Sequence, residues 1–332
     1  MRIIVALGGN AIARRGQVMS VLHQRENLRL VSGRLKSLAQ EHELVLTHGN
    51  GPQVGLLALQ NAAYPDLAAY PLDVLGAESQ GMIGYFIEIE MRHVLPPEQK
   101  LTTVLTLVEV SAEDPAFGNP TKFIGPIYSQ AQADALAAER GWTFKLDGAA
   151  CRRVVPSPVP QRIVQIDSVR QLLKAGHIVV CAGGGGIPMT RDQDGHLAGV
   201  EAVVDKDASS AVLASAIDAD LFIMATDAQA VFLDWGTSAQ RAIRWIGTDA
   251  LARFDFATGS MGPKVAAAIA FAQNSGCRAV IGKIDDIDQI LAGEAGTVIE
   301  SQQGPTQFYP PPAIAASTPR TRPDDLEAAP CQ

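Results

Sequence analysis

Short, nearly continuous apolar runs alternate with helical stretches along most of this 332-residue chain, and that rhythm admits few architectures. The first run, Arg2–Leu7 (RIIVAL), is apolar at every position after its arginine. A strand wetted on one face alternates apolar with polar residues, so an unbroken run marks a strand buried on both faces. A helical segment follows, in which Val21, Leu22, Leu28, Val31, Leu35 and Leu38 recur at helical spacings. The same reading gives strands at 43–47, 102–110, 177–182, 220–226 and 277–282. Between them it gives helices from near Pro52, over 74–94, and at 209–217, 262–274 and 284–291. Repeated β-α alternation predicts an α/β fold with an open, mainly parallel sheet sandwiched by helices.

Two segments break the rhythm. Residues 114–160 are rich in Pro, Gly and charge yet too apolar to be solvated throughout, so they read as an insertion projecting from the sheet. Beyond about residue 300 the chain is Pro- and Ala-rich without periodicity, which predicts a disordered tail over 301–332. No repeat at a solenoid period is visible.

Composition narrows the partners. The chain is 47% hydrophobic and 19% charged, which excludes collagen, coiled coil and wholesale disorder. A net charge of −8 argues against nucleic acid, whose phosphates need a basic surface, but leaves room for a small phosphorylated ligand held by a few placed groups. The first apolar run is too short for a membrane span or the apolar core of a secretion signal. Cys151, Cys181, Cys277 and Cys331 lie far apart with no CxxC. The expectation is a soluble, reduced, cytoplasmic protein.

The chemistry-bearing segments stand at or just after strand ends. They are Gly8-Gly9-Asn10, His48-Gly49-Asn50-Gly51-Pro52, Gly183 to Gly186, and Gly259-Ser260-Met261-Gly262-Pro263-Lys264. Open α/β sheets bind ligands beyond the carboxyl ends of their strands. Glycine there lets main-chain N–H groups approach an anion, and a following helix adds its dipole. Each such turn also has a bland reading, as a tight bend and nothing more. Four in one chain, two of them opening onto helices, favour an anion site. GxxxxGK[ST], GxGxxG after the first strand, and the protein-kinase motifs are all absent, so a nucleotide enzyme built this way uses another scaffold.

Three lysines lie beside these turns: Lys122 inside the insertion, Lys206 between Asp205 and Asp207, and Lys264 at the head of an Ala-rich helix. A lone lysine is usually a solvated surface group. Three at Gly/Pro-rich element ends suit phosphoryl transfer, which needs cations on the moving group more than a strong base. Asp205 and Asp207 either orient lysines, contact Mg²⁺ or cap the following helix. His48 abuts a glycine turn and is a candidate ligand contact, while Asp73 and Glu78 either line the site or act as helix N-terminal charges.

With these residues assembled, the chain resembles the carbamate kinases of the amino acid kinase family. The matches run in order: VALGGNAI (5–12), THGNGPQVG (47–55), PLDVLGAESQGMIGY (71–85), NPTKxIGP (119–126), VVPSP (154–158), GGGGIP (183–188), GVEAVVDKD (199–207) and GSMGPK (259–264). The resemblance implies a two-lobed sheet, with residues 1–200 binding carbamate or carbamoyl phosphate and residues 201–300 binding nucleotide. It also implies that 114–160 is a protruding lid, that the enzyme is a homodimer, and that it interconverts carbamoyl phosphate plus MgADP with carbamate plus MgATP. On the same ground Gly8, Gly9 and Asn10 meet the transferred phosphate, and Gly49, Asn50 and Gly51 surround the carbamate. Lys122 is the lid lysine, Lys206 and Lys264 neutralise phosphates, and Asp207 organises those lysines. Gly184, Asp205, Thr226 and Met261 fall to the nucleotide, with Mg²⁺ accompanying ATP or ADP and its ligands unassigned.

Three places depart from the pattern: residues 148–153, Ala228-Gln229-Ala230 near the expected adenine pocket, and the tail beyond about residue 300. Where the family reads GRGWRR, residues 148–153 read GAACRR. That motivates two other readings: a relative acting on another small acid or phosphonate, or a catalytically weak regulatory homologue. Retention of all three lysines and both first loops speaks against the latter.

Overall fold

The computed structural model describes residues 1–14, 16–63, 68–257 and 259–310, with the side chain of Asn10 outside that set. The first half of the chain runs β1 (Arg2–Leu7), α1 (Val21–Glu41), β2 (Glu43–His48), α2 (Gly51–Ala62), α3 (Leu72–Arg92), β3 (Lys100–Thr103) and β4 (Leu107–Val110). Next come β5 (Lys122–Tyr128), α4 (Gln130–Arg140), β6 (Thr143–Asp147), β7 (Ala150–Val155), β8 (Pro160–Ile163), α5 (Ile166–Lys174) and β9 (His177–Val180). The remainder is β10 (Ile187–Arg191), β11 (Leu197–Gly199), α6 (Lys206–Ala216), β12 (Leu221–Thr226), β13 (Val231–Leu233), β14 (Arg241–Gly247), α7 (Thr248–Leu251), α8 (Met261–Ser275), β15 (Arg278–Lys283), α9 (Ile287–Ala292), β16 (Thr297–Glu300) and β17 (Gln307–Phe308).

The main sheet has the order β13-β14-β16-β15-β12-β1-β2-β9-β3, with β17 paired to β14. From β15 to β3 every neighbouring pair is parallel. Strand period decides what each face buries. Ile4 and Ala6 of β1 turn toward Val169 and Leu173 of α5, Leu213 of α6 and Phe271 of α8. Ile3, Val5 and Leu7 turn toward Leu28 and Leu35 of α1, Ile83 and Ile87 of α3 and Ile290 of α9. Both faces are covered, so the unbroken apolar run has its physical cause. The mainly parallel sandwich expected from the sequence is what forms.

The expected single strand at 102–110 is instead two strands in two sheets. β3 ends the main sheet, whereas β4 belongs to a four-stranded sheet of order β11-β10-β4-β8. The chain leaves the first sheet at Thr106, where the side chain of Gln80 takes the main-chain N–H and shares the carbonyl with the Ile187 N–H. Thr106 N–H donates to Gln80 Oε1 at 2.9 Å, and Gln80 Nε2 donates to the Thr106 carbonyl at 3.0 Å. A buried glutamine 26 residues away thus satisfies both main-chain groups.

Within residues 114–160, β5, β7 and β6 form a separate antiparallel sheet, with α4 packed on it. Its root is held by an apolar cluster in which Ile124 and Val155 meet Val54, Ala58, Leu72, Leu75 and Val203. No helix among the described residues is long and apolar enough to cross a membrane.

The tail expectation is corrected for residues 301–310, while 311–332 lie outside the described residues. β17 pairs with β14, Arg241 lies 4.5 Å over the Phe308 ring, and the Tyr309 hydroxyl donates to the Gly296 carbonyl at 2.7 Å. Pairing with β14 and the contacts of two aromatic residues outweigh the Pro-rich composition. A chain ending at residue 300 therefore unfolds more easily than one ending at 310, by roughly 2 kcal/mol from lost aromatic burial. Thermal melts of the two truncations check this, and coincident curves would show that the edge strand adds nothing.

Candidate active site

The carboxyl ends of β1, β2, β12 and β15 open onto one cleft of about 2840 Å³, lined by glycine turns, the heads of α2, α6 and α8, and the root of β5. The gap between β1 and β12 is where consecutive connections run to opposite sides of the sheet. That is the place at which doubly wound sheets hold ligands.

The glycines permit close approach. A Cβ on Gly8 would stand 2.9 Å from the Ala225 carbonyl oxygen, and one on Gly49 would stand 3.3 Å from Cδ of Lys206. Lys206 thus reaches the cleft by lying across Gly49. The N–H groups of these two glycines extend the sheet instead, donating to the Ala225 and Leu7 carbonyls at 3.2 and 3.3 Å. Gly8 and Gly49 serve by lacking a side chain rather than by binding an anion through their own N–H groups. Gly9, Asn10, Asn50 and Gly51 follow at the cleft mouth, and Asn50 Nδ2 donates to Ser79 Oγ at 2.8 Å.

The run Gly183 to Gly186 is a packing element. A Cβ on Gly183 would sit 2.3 Å from His48 Nε2, and one on Gly184 would sit 2.2 Å from Asn50 Nδ2. Gly185 and Gly186 spend their N–H groups on the carbonyls of Ala182 and Gly183. Gly184 therefore touches the Asn50 side of the cleft, away from Thr226 at the end of β12. His48 does not line the cleft. It is buried beneath the second loop, and burial brings its imidazole down to about 4, with the Gly49 carbonyl opposing, so the ring is neutral. Asp73 lies against Gly199 of β11, also off the cleft.

The charged centre is at the head of α6. Asp205 is its N-cap, with Oδ1 accepting from the N–H groups of Asp207 at 2.9 Å and Ala208 at 3.2 Å. Asp207 Oδ1 accepts from Lys206 Nζ at 2.5 Å, and Oδ2 accepts from Lys264 Nζ at 2.9 Å. Lys122 Nζ donates to Asp205 Oδ2 at 2.5 Å. Three ammonium groups thus meet two carboxylates, leaving one positive charge unbalanced where the dipoles of α6 and α8 also point. Lys206, Asp207 and Lys264 are nearly buried. Burial pushes the Asp207 carboxyl up, but Lys206 and Lys264 override it and hold the group far below its ordinary value. Burial pulls Lys206 the other way, down to about 8, against the attraction of Asp207.

The structure brings Lys122, Lys206, Lys264, Asp205 and Asp207 together in one cluster. Thr226 and Met261 line the cleft farther along, with the Thr226 hydroxyl donating to Asp227. Lys122 needs no swing of the insertion to arrive, because it is the first residue of β5 and the root of that strand lies against α2. Among the cleft residues that escaped the sequence reading, two cations stand close to the strand ends and the insertion, Lys283 and Arg152. Lys283 ends β15 in register with Thr226, and the strand-end rule that selected the glycines selects it too. Arg152 lines the cleft and donates to the Gly125 carbonyl at 2.9 Å. In the departing stretch 148–153, Cys151 is buried, its thiol donating to Gln130, and Arg153 stacks 3.9 Å over Trp142. Both arginines of the stretch therefore keep fixed partners.

The amino acid kinase family pattern matches residues 1–283. The carbamate kinase of Haemophilus influenzae is 53% identical over 309 residues, spanning 93% of this chain and 100% of its own. The carbamate kinase of Rhizobium meliloti is 52% identical over 303 residues, 91% of this chain and 94% of its own. Among solved structures, carbamate kinase from Giardia lamblia bound to AMP-PNP superposes with a TM-score of 0.82 at 35% identity, over 90% of this chain and 98% of that one.

Proposed function

This chain belongs to the carbamate kinases of the amino acid kinase family and is a phosphotransferase, and from that premise we propose that its cleft moves a phosphoryl group between carbamoyl phosphate and ADP, giving carbamate and ATP. The observation that carries the reading is the convergence of Lys122, Lys206 and Lys264 on Asp205 and Asp207, from elements otherwise far apart in sequence. Toward ATP, an oxygen of the ADP β-phosphate attacks phosphorus while carbamate leaves. In reverse, the carbamate oxygen is already anionic and attacks without a general base. The site's work is to hold two anions in line and to spread the charge of the moving group. Lys206 and Lys264, fixed by Asp207, bring ammonium groups to that charge. Lys122 covers the carbamoyl side, and the end of β12 with the head of α8 receives the nucleotide.

Magnesium suits this site as part of the nucleotide complex. Both Asp205 oxygens and both Asp207 oxygens already accept hydrogen bonds, so the ion relies on phosphate oxygens rather than on a carboxylate cage there. When bound it neutralises phosphate charge. The family relationship further supports a cytoplasmic homodimer, which light scattering tests for assembly. The deciding assay is ATP formation from carbamoyl phosphate and ADP by purified protein, alongside other small acids supplied with ATP. Turnover of another acid with none of carbamoyl phosphate would overturn the reading.

The depressed Lys206 gives a pH signature. Free enzyme loses the Lys206 charge as pH rises through about 8, so kcat/KM for carbamoyl phosphate falls there. Stability moves oppositely. Folded Lys206 releases its proton before the unfolded residue, at 10.5, so between about 8 and 10.5 its contribution to folding improves as pH rises. Rate profiles and melts over this range check both signs. A flat kcat/KM would remove Lys206 from substrate binding.

A further inference from the structure

Asp205 is built differently from Asp207. Its two oxygens have separate duties: Oδ1 caps α6 through two main-chain N–H groups, and Oδ2 receives Lys122 from the β5 insertion. The cap fixes the plane of the carboxylate, so its second oxygen is aimed before Lys122 arrives. Both partners also spring from the same packed unit. Ile124, two residues after Lys122 and on the same side of β5, is buried against Val155 and Val203. Val203 lies two residues before Asp205, and its N–H donates to the Pro156 carbonyl at 3.0 Å. Burial pushes the Asp205 carboxyl up, but Lys122 and Lys206 leave it below its ordinary value, so the charge needed for the pairing is present.

From this geometry we infer that Asp205 is the positioning residue of Lys122: it ties the lysine of the insertion to the head of α6, beside Lys206 and Lys264, and does not serve as a nucleotide contact. The inference rests on the carbamate kinase reading for its kinetic consequence alone. A lysine side chain has many rotamers, and its long stem leaves its ammonium free to wander unless a partner holds it. Asp205 supplies that partner on a rigid helix end. It thereby sets the Lys122 ammonium at the head of α6, where Asp207 holds Lys206 and Lys264, before substrate binds.

The test is Asp205→Asn, because asparagine caps a helix as well as aspartate but cannot form the ion pair. The variant folds with a melting temperature close to that of the parent. Its kcat/KM for carbamoyl phosphate falls about tenfold or more, a barrier change of about 1.4 kcal/mol per decade, while KM for ADP stays within about twofold. If Asp205 acts through Lys122, adding Asp205→Asn to Lys122→Ala changes nothing further. An independent readout needs no substrate. Brief acetylation with acetic anhydride, followed by peptide mass spectrometry, labels Lys122 several-fold faster in Asp205→Asn and leaves Lys145 unchanged. Parental kinetics and labelling in the variant would overturn the inference, and so would fully additive losses in the double variant, which would mean that Asp205 contacts a ligand itself. Absence of carbamoyl phosphate turnover in the parent would sink the proposed function instead, and the labelling comparison would still judge the role of Asp205.

Discussion

Lys264→Met and Lys206→Met each lower turnover by about 10²-fold or more, a few kcal/mol of barrier. Methionine keeps much of the stem volume and deletes the charge, so the loss reports the ammonium. Each lysine occupies one oxygen of Asp207, and the stem of Lys206 lies closely across Gly49. Removing either leaves a buried carboxylate half-paired, which costs about 3–5 kcal/mol of stability when a buried pair is broken. The sequence alone suggests that folding is indifferent to these positions, since both sit at element ends. Their burial says otherwise, with side chains 10% and 12% exposed. Initial rates of ATP formation, taken at a temperature where melts show the variants folded, separate the two effects. Near-parental turnover in a folded variant would strike that lysine from the catalytic set.

Gly55→Ala is the second large effect, and it acts without touching a charged group. A Cβ on Gly55 would lie 2.0 Å from Gly125 Cα and 2.1 Å from Gly125 N. Carbon atoms rest about 3.5–4 Å apart, and main chain cannot rotate aside as a side chain can, so β5 must lift from α2 by more than an ångström. Gly125 has little freedom to absorb this. Its φ is +70°, it sits where the β5–β7 register shifts, and its carbonyl is held by Arg152. Lifting β5 withdraws Ile124 from its cluster and drags Lys122, three residues before Gly125, away from Asp205. A misplacement of about 1 Å can cost 10²-fold in rate, and a loss of that size is expected with carbamoyl phosphate. ADP binding by calorimetry should persist, because the end of β12 and the head of α8 are anchored on β15 and α6 rather than on the displaced strand. Gly81→Ala on α3, where a Cβ meets nothing within 4 Å, is the control and should be harmless. Unchanged kinetics in Gly55→Ala would show that the β5 root is free to shift without consequence.

Much of the architecture is legible in the sequence because its cause is local. An unbroken apolar run such as Arg2–Leu7 can satisfy period-two burial only inside a two-faced sandwich, and glycines after strand ends mark where main chain must pass close to something. The order of motifs and the identity of the three lysines follow from the same one-dimensional record. What the glycines approach does not. Gly183 and Gly184 meet His48 and Asn50, and Gly55 meets Gly125, contacts that no pattern in either segment announces. The break at Thr106 depends on Gln80, and the ordering of residues 307–309 depends on β14, a strand more than 60 residues earlier that the tail's own pattern does not announce.

The division is sharpest at the charged centre. Local spacing places Lys206 between Asp205 and Asp207 without deciding whether either aspartate caps a helix, binds a metal or orients a lysine, and the family resemblance gives Asp207 the lysines and Asp205 the nucleotide. The fold assigns them separately: Asp205 caps α6 and takes Lys122 across 83 residues, while Asp207 takes its neighbour Lys206 and, across 57 residues, Lys264. Residue type and local spacing set which charges are available and where helices begin. Which charge meets which is settled only when the sheet brings strand ends together and burial removes the water that would otherwise solvate each ion alone.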